Sequence, residues 1–190
     1  MIDFNHWSLY YYQIKEIMAM SPESVLIVGK GEGVVDDYLR KQNIHVLSVD
    51  IDTKTKPDVV GDIRNLSHLV EPGFDVVVCC EVLEHLPRDD IEHCLQELSY
   101  VAGDALIISV PYNGWFFNVH VDAPLFHDKY FNMYLNHKKI LRKGKHQWEL
   151  DTREMYSWFK DCINRFFMVY RDYRCPVFPY VHFFCVEVKQ

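Results

Sequence analysis

The chain has 190 residues, 49% of them hydrophobic, and carries a net charge of −7. That length suits one compact domain over residues 1–190, and the apolar content rules out global disorder. The acidic balance argues against a sequence-blind nucleic-acid binder, which needs a basic face, but leaves room for a local basic patch. Six cysteines (Cys79, Cys80, Cys94, Cys162, Cys175, Cys185) form no C-x-x-C pair. Sulfur-based zinc binding and a disulfide framework are therefore not expected. Residues 1–20 lack a basic stretch followed by an apolar one, so no signal peptide is expected. No run of about 18 apolar residues offers a membrane span, and the cytoplasm is the default expectation.

In chain order, Phe4, Trp7, Leu9, Tyr11, Ile14, Ile17 and Met18 recur at roughly helical spacing and predict an amphipathic helix over 4–20, ending near Ser21-Pro22. Val25–Val28 reads as a buried strand running into glycine. A helix follows over 34–41, then a strand over 45–49 ending at Asp50, and a short strand at Val59-Val60. Phe74–Cys80 gives the strongest strand signal of the chain. A helix over 89–100 and a strand over 105–110, stopped by Pro111, complete the alternating part. That alternation predicts a parallel sheet with right-handed crossovers. Residues 112–150 break the rhythm and read as an insert. A helix over 152–162 and strands over 166–170 and 181–188 follow. The fold class is α/β: a three-layer sandwich around a seven-stranded, mostly parallel sheet with an antiparallel last strand.

Gly29, Gly31 and Gly33 follow the first strand and open a helix, a turn in which backbone can approach a ligand without an intervening Cβ. By itself G-x-G-x-G is weak, since many such turns are structural. Its context adds Asp50 with Ile51 at the tip of the next strand, where a carboxylate can accept both ribose hydroxyls. Asp62 with Ile63 follows the third strand, where an adenine would lie. The dinucleotide fingerprint wants Gly or Ala two residues after the second glycine's neighbour, G-x-G-x-x-G/A, and Val34 fills that place instead.

This ordered set, with F-D-V-V-V-C-C-E-V-L-E-H-L-P over 74–87, resembles the class I S-adenosylmethionine-dependent methyltransferases, chiefly the small-molecule group with E-V-L-E-H after the fourth strand. The likeness covers roughly residues 23–111. It implies that Gly29, Gly31 and Gly33 pass under the methionine portion of S-adenosylmethionine. It further implies that Asp50 and Ile51 hold the ribose, Asp62 and Ile63 the adenine, and the backbone at Cys80 the sulfonium side. The family usually has an acid two residues before the first glycine, and Ile27 stands there.

Glu81, Glu84 and His85 sit where the fourth strand ends, the edge at which open α/β sheets bind ligands. One reading makes them local packing and pairing; another makes His85 a general base, helped by Glu84 and His146. A third joins Glu81, Glu84, His85 and His146 into a divalent-metal site similar to that of RNA 3′-terminal 2′-O-methyltransferases. The expectation adopted is a site without metal, because E-V-L-E-H is common in relatives that need no ion and His146 lies far along the sequence. Lys138, Lys139, Arg142, Lys143 and Lys145 form an acid-free run that reads as solvated surface or as an attractor for an anionic acceptor. Tyr112, Trp115, Phe116 and Phe117 read as core packing or as an acceptor wall, and the 1–20 helix as a lid. The expected acceptor is a small metabolite or glycan, with RNA next and a non-catalytic cofactor-binding domain as the alternative.

Overall fold

The computed structural model describes residues 4–124, 129–135 and 146–189. The basic run Lys138–Lys145 lies outside them. The elements are α1 (Phe4–Ala19), β1 (Ser24–Val28), α2 (Val34–Lys41), β2 (His45–Asp50), β3 (Val59–Val60), α3 (Leu66–Leu69), β4 (Phe74–Cys80), α4 (Ile91–Val101), β5 (Ala102–Pro111), β6 (Trp115–Val121), β7 (Lys129–Leu135), α5 (Arg153–Phe166), β8 (Phe167–Arg174) and β9 (Val181–Val188).

Seven strands form one sheet in the order β3-β2-β1-β4-β5-β9-β8. The first five run parallel, and β9 runs antiparallel to both β5 and β8. Side chains alternate across the pleat, so each strand feeds two cores. Val77, Cys79, Leu106 and Ile108 face α4 and α5, whereas Val76, Val78, Ala105 and Ile107 join α1 and α2 on the other side. Both faces are covered, which is why β1 and β4 read as unbroken apolar runs. The order reverses at β1 and β4, and the crevice at their carboxyl ends is the ligand position of such sheets.

The helices carry their own stop and start chemistry. In α2, Asp36 and Asp37 occupy the first turn and Arg40 and Lys41 the last, complementing the helix dipole. Thr152 caps α5 by accepting from the Met155 amide at 3.2 Å. The α1 helix is tied to the sheet by Glu16, a buried carboxylate that accepts from Tyr173 Oη at 2.7 Å and pairs with Arg171.

The insert is not irregular throughout. β6 and β7 pair antiparallel as a separate two-stranded sheet, with Phe117 opposite Met133. Asn118 and Asn132 each donate to the Pro176 carbonyl, at 2.8 and 3.0 Å, and so pin one face to the body. The other face leaves Trp115, Phe117, Val119, Phe131 and Met133 exposed. The alternation of F-N-V-H-V over 117–121 is that of a strand, but it is inverted: Asn118 faces the body, and Phe117 and Val119 face solvent.

Candidate functional site

A cleft of about 900 Å³ opens at the carboxyl ends of β1, β2 and β4. At its floor the chain leaves β1 through Gly29, whose amide donates to the Val49 carbonyl at 2.8 Å. Gly29 has φ +85°, and a Cβ there would come 2.3 Å from Val82 Cγ2, so both backbone and packing demand glycine. A Cβ on Gly31 would meet nothing within 4 Å, which leaves room for a ligand against the loop. The Gly31 amide donates to Asp50 Oδ2 at 3.1 Å, and the Asp52 amide donates to Asp50 Oδ1 at 2.9 Å. The carboxylate is thereby fixed beside the glycine turn, with lone pairs left for a diol. Lys30 is turned away, to Asp36 Oδ2 at 2.6 Å and the Lys56 carbonyl at 3.0 Å. Gly33 caps α2 with φ +77° and is not part of the cleft wall.

Further along, Ile51 offers an apolar side chain that is 68% exposed. Asp62 accepts from the Arg64 amide at 2.9 Å and from its guanidinium, which holds the Asp62 carboxyl below the ordinary carboxylate range. Ile63 and Cys80 line the cleft between these groups. Ile27 also reaches the wall but is otherwise packed in the core, so no carboxylate arises from that position. One wall comes from α1, through His6, Leu9, Tyr10 and Gln13. Burial raises the Tyr10 phenol, and its hydrogen bond to Glu32 beside the glycine turn adds to the rise.

The other end of the cleft is acidic and imidazole-rich. Glu81 has φ +57°, a left-handed conformation unusual for this residue, and its carboxyl accepts from Ser109 Oγ at 2.9 Å. Burial lifts that carboxyl to about 7. Glu84 is 0% exposed, and neither carboxylate oxygen has a hydrogen-bond partner among the described residues. Burial, then the charge of Glu81, pushes the Glu84 carboxyl well above the ordinary value. His146 Nε2 lies 4.0 Å from Glu84 Oε1, and the rings of His85 and His146 are 5.0 Å apart. Glu84, His85 and His146 offer three ligand atoms all within 4.8 Å of one another.

Backbone zippering brings His146 there. The Gln147 amide donates to the Glu84 carbonyl at 2.7 Å, Gln147 Nε2 to the His85 carbonyl at 2.9 Å, and Trp148 Nε1 to the Leu86 carbonyl at 3.2 Å. Trp148 is locked in turn between the rings of Trp158 and Phe159.

Of the residues expected from sequence, Gly29, Gly31, Asp50, Ile51, Asp62, Ile63, Cys80, Glu81, Glu84, His85 and His146 all reach this one cleft. Tyr112, Trp115, Phe116 and Phe117 do not line it. Tyr112 stacks on His182 with Arg174 over its ring, 3.4 Å from the centroid. Sequence reasoning passed over Tyr10, Gln13, Glu149 and Tyr180. For Glu149 a signal existed in H-Q-W-E-L, an acid three residues from a histidine.

Residues 26–103 match the family model for the methyltransferase domain. A chicken (Gallus gallus) small RNA 2′-O-methyltransferase is 26% identical over 95 residues, which are 50% of this chain and 21% of that protein. Among solved structures, the methyltransferase domain of bacterial CtHen1 is 14% identical, with 98% of this chain and 100% of that one covered at TM-score 0.66. The N-methyltransferase NodS of Bradyrhizobium japonicum, solved with S-adenosylhomocysteine, is 10% identical, with 99% and 89% covered at TM-score 0.63. At such identities the structural likeness shows the fold. The domain match and this fold support a class I methyltransferase with S-adenosylmethionine as cofactor.

Proposed function

We propose that the chain is an S-adenosylmethionine-dependent methyltransferase that methylates a hydroxyl held by a divalent cation at Glu84, His85 and His146, the acceptor being the terminal ribose of an RNA. The cofactor half fits: open space at Gly31, the oriented Asp50 carboxylate and the exposed Ile51 side chain suit a nucleoside and its tail. When bound, the cofactor supplies an already activated methyl group. The chain's own part is then alignment, and holding a nucleophile about 3 Å from that methyl contributes much of the rate.

The observation that carries the cation is Glu84. A buried carboxylate with both oxygens unsatisfied is costly unless protonated or matched by a cation, and Glu81 and Glu149 make the surroundings more negative. One carboxylate and two imidazoles suit ions such as Mn²⁺, Co²⁺ or Zn²⁺. Ligand distances of about 2.0–2.2 Å bring neighbouring donors about 3–3.5 Å apart, so the three atoms, now within 4.8 Å of one another, would draw in by side-chain rotation on binding. This departs from the metal-free expectation, which rested on E-V-L-E-H being common in metal-free relatives and on the sequence distance of His146; only the second is answered by the approach of His146 to Glu84. An ion there would favour the ionised form of a bound hydroxyl. An RNA ribose as acceptor is supported by the likeness to the chicken small RNA 2′-O-methyltransferase, and its terminal position by the two neighbouring hydroxyls that a 3′ end offers a cation.

A second reading keeps a small metabolite or glycan as acceptor, with His85 as the base and no ion. The net charge of −7 favours it, since it opposes a polyanion. The test is methyl transfer from labelled S-adenosylmethionine to a short RNA with a free 3′ diol. We expect transfer with Mn²⁺, none with chelator, and none to the same RNA after periodate cleavage of the diol. Transfer that is indifferent to chelator, or that ignores the diol, would overturn the first reading.

A further inference from the structure

The zipper of residues 147 and 148 onto 84–86 fixes the backbone at His146 but leaves its ring free to turn and either ring nitrogen free to carry the hydrogen. Glu149 removes both freedoms. His146 Nδ1 lies 2.8 Å from Glu149 Oε1, and the same oxygen accepts from Tyr180 Oη at 2.7 Å. A carboxylate only accepts, so Nδ1 is the donor, and in the neutral ring, the form that ligates a metal, Nε2 keeps its lone pair. That Nε2 is the atom facing Glu84. The Glu149 side chain is 13% exposed, so water competes little for its oxygens. Tyr180 is held by its own backbone, whose carbonyl accepts from the Tyr112 amide at 2.5 Å.

We propose that Glu149, braced by Tyr180, is a positioning residue that locks His146 in the tautomer and orientation in which Nε2 serves as a cation ligand. The proposal rests on the cation reading of Glu84, His85 and His146. Carboxylates placed behind a ligating imidazole commonly contribute about 10–100-fold in metal affinity. The arrangement also gives the H-Q-W-E-L segment a division of labour. His146 would ligate, Gln147 and Trp148 would fasten the backbone, and Glu149 would set the ring.

Two measurements on the full chain separate this proposal from the reading beneath it. The first is the ring tautomer of His146 without metal, from nitrogen-15 spectra, with His146→Gln for assignment. The wild type is expected to carry its hydrogen on Nδ1, and Glu149→Ala to move it largely to Nε2. The second is calorimetry with Mn²⁺ and Co²⁺. Glu149→Ala is expected to weaken binding about 10–100-fold, Tyr180→Phe less, and Glu149→Gln to recover part of the loss because its amide oxygen still accepts. If the wild type binds neither ion, the cation reading falls and the ligand role falls with it, whatever the tautomer. If the wild type binds but Glu149→Ala and Glu149→Gln bind equally tightly with an unchanged tautomer, Glu149 has no positioning role. Should Glu149→Ala fail to fold, Glu149→Gln and Tyr180→Phe decide by the same two readouts.

Discussion

The Gly31 amide donates to Asp50 Oδ2 at 3.1 Å, so the glycine turn and the acid at the tip of β2 hold each other in place. Asp50→Ala removes the ribose acceptor and also frees the turn. It is expected to weaken S-adenosylhomocysteine binding by about 1.5–3 kcal/mol, the usual range for a hydrogen bond to a charged group. Calorimetry with unchanged affinity would place the nucleoside elsewhere.

Gly29 and Val82 form a steric pair across the floor of the cleft. Gly29→Ala drives a methyl into Val82 Cγ2 and strains a φ of +85°, so a stability loss of about 2–4 kcal/mol is expected. Adding Val82→Ala should return the steric share and leave the backbone share. At Gly31, where a Cβ meets nothing and φ is +55°, alanine should cost only about 1 kcal/mol. Equal melting temperatures for the two single variants would refute this contrast.

Burial holds Glu81 protonated up to about pH 7, against 4.5 for an ordinary glutamate. In the metal-free chain the folded state keeps a proton that the unfolded state releases above about pH 4.5. The stabilisation is therefore full below that value and is lost as pH rises through 7. The melting temperature should fall by on the order of 5 °C between about pH 5 and pH 8. Glu81→Gln should remove its share of that slope, with Glu84 supplying the rest in the same direction. A melting temperature rising over this interval would contradict the assignment.

Burial also pushes the thiols up, Cys79 well above the ordinary value and Cys94 to about 12. All six cysteines are free. Alkylation by iodoacetamide at about pH 8 should be slow in the folded chain and complete in guanidinium, since the thiolate is the nucleophile. Rapid labelling of Cys79 or Cys94 by mass spectrometry would mean a looser core than the packing implies.

The cofactor half was legible in the sequence because its parts are contiguous. Strand, glycine turn and helix follow one another from Val25 to Lys41, and Asp50 closes the next strand. The acceptor half was legible only as composition. His146 and Glu84 are named by their residue types, but their meeting depends on backbone bonds from Gln147 and on Trp148 packing against Phe159. Tyr10 and Tyr180 arrive from helix and loop faces that no local pattern marks. The β6–β7 pair was legible in the alternation of F-N-V-H-V over 117–121 but was passed over as part of an aromatic insert. Which of its faces meets the body was not legible, because the polar Asn118 and Asn132 turn inward and Phe117 and Met133 outward. The first turn of the helix expected over 89–100 is a tight turn at Arg88–Asp90, and α4 begins at Ile91.

The fastening at residues 146–150 has a consequence for how this protein can vary. The Gln147 side chain bonds back across 62 positions to the His85 carbonyl, and the Leu150 amide bonds to the Pro111 carbonyl at 2.9 Å. The stretch between Pro111 and His146 is thus clamped where it leaves the domain and where it returns. Doubling the length of such a loop costs only about 0.6 kcal/mol in closure entropy. Insertions, deletions or a graft beyond Tyr112, within residues 115–145, should leave the cofactor cleft and the meeting of Glu84, His85 and His146 intact, making that stretch the natural place to recast what the domain modifies.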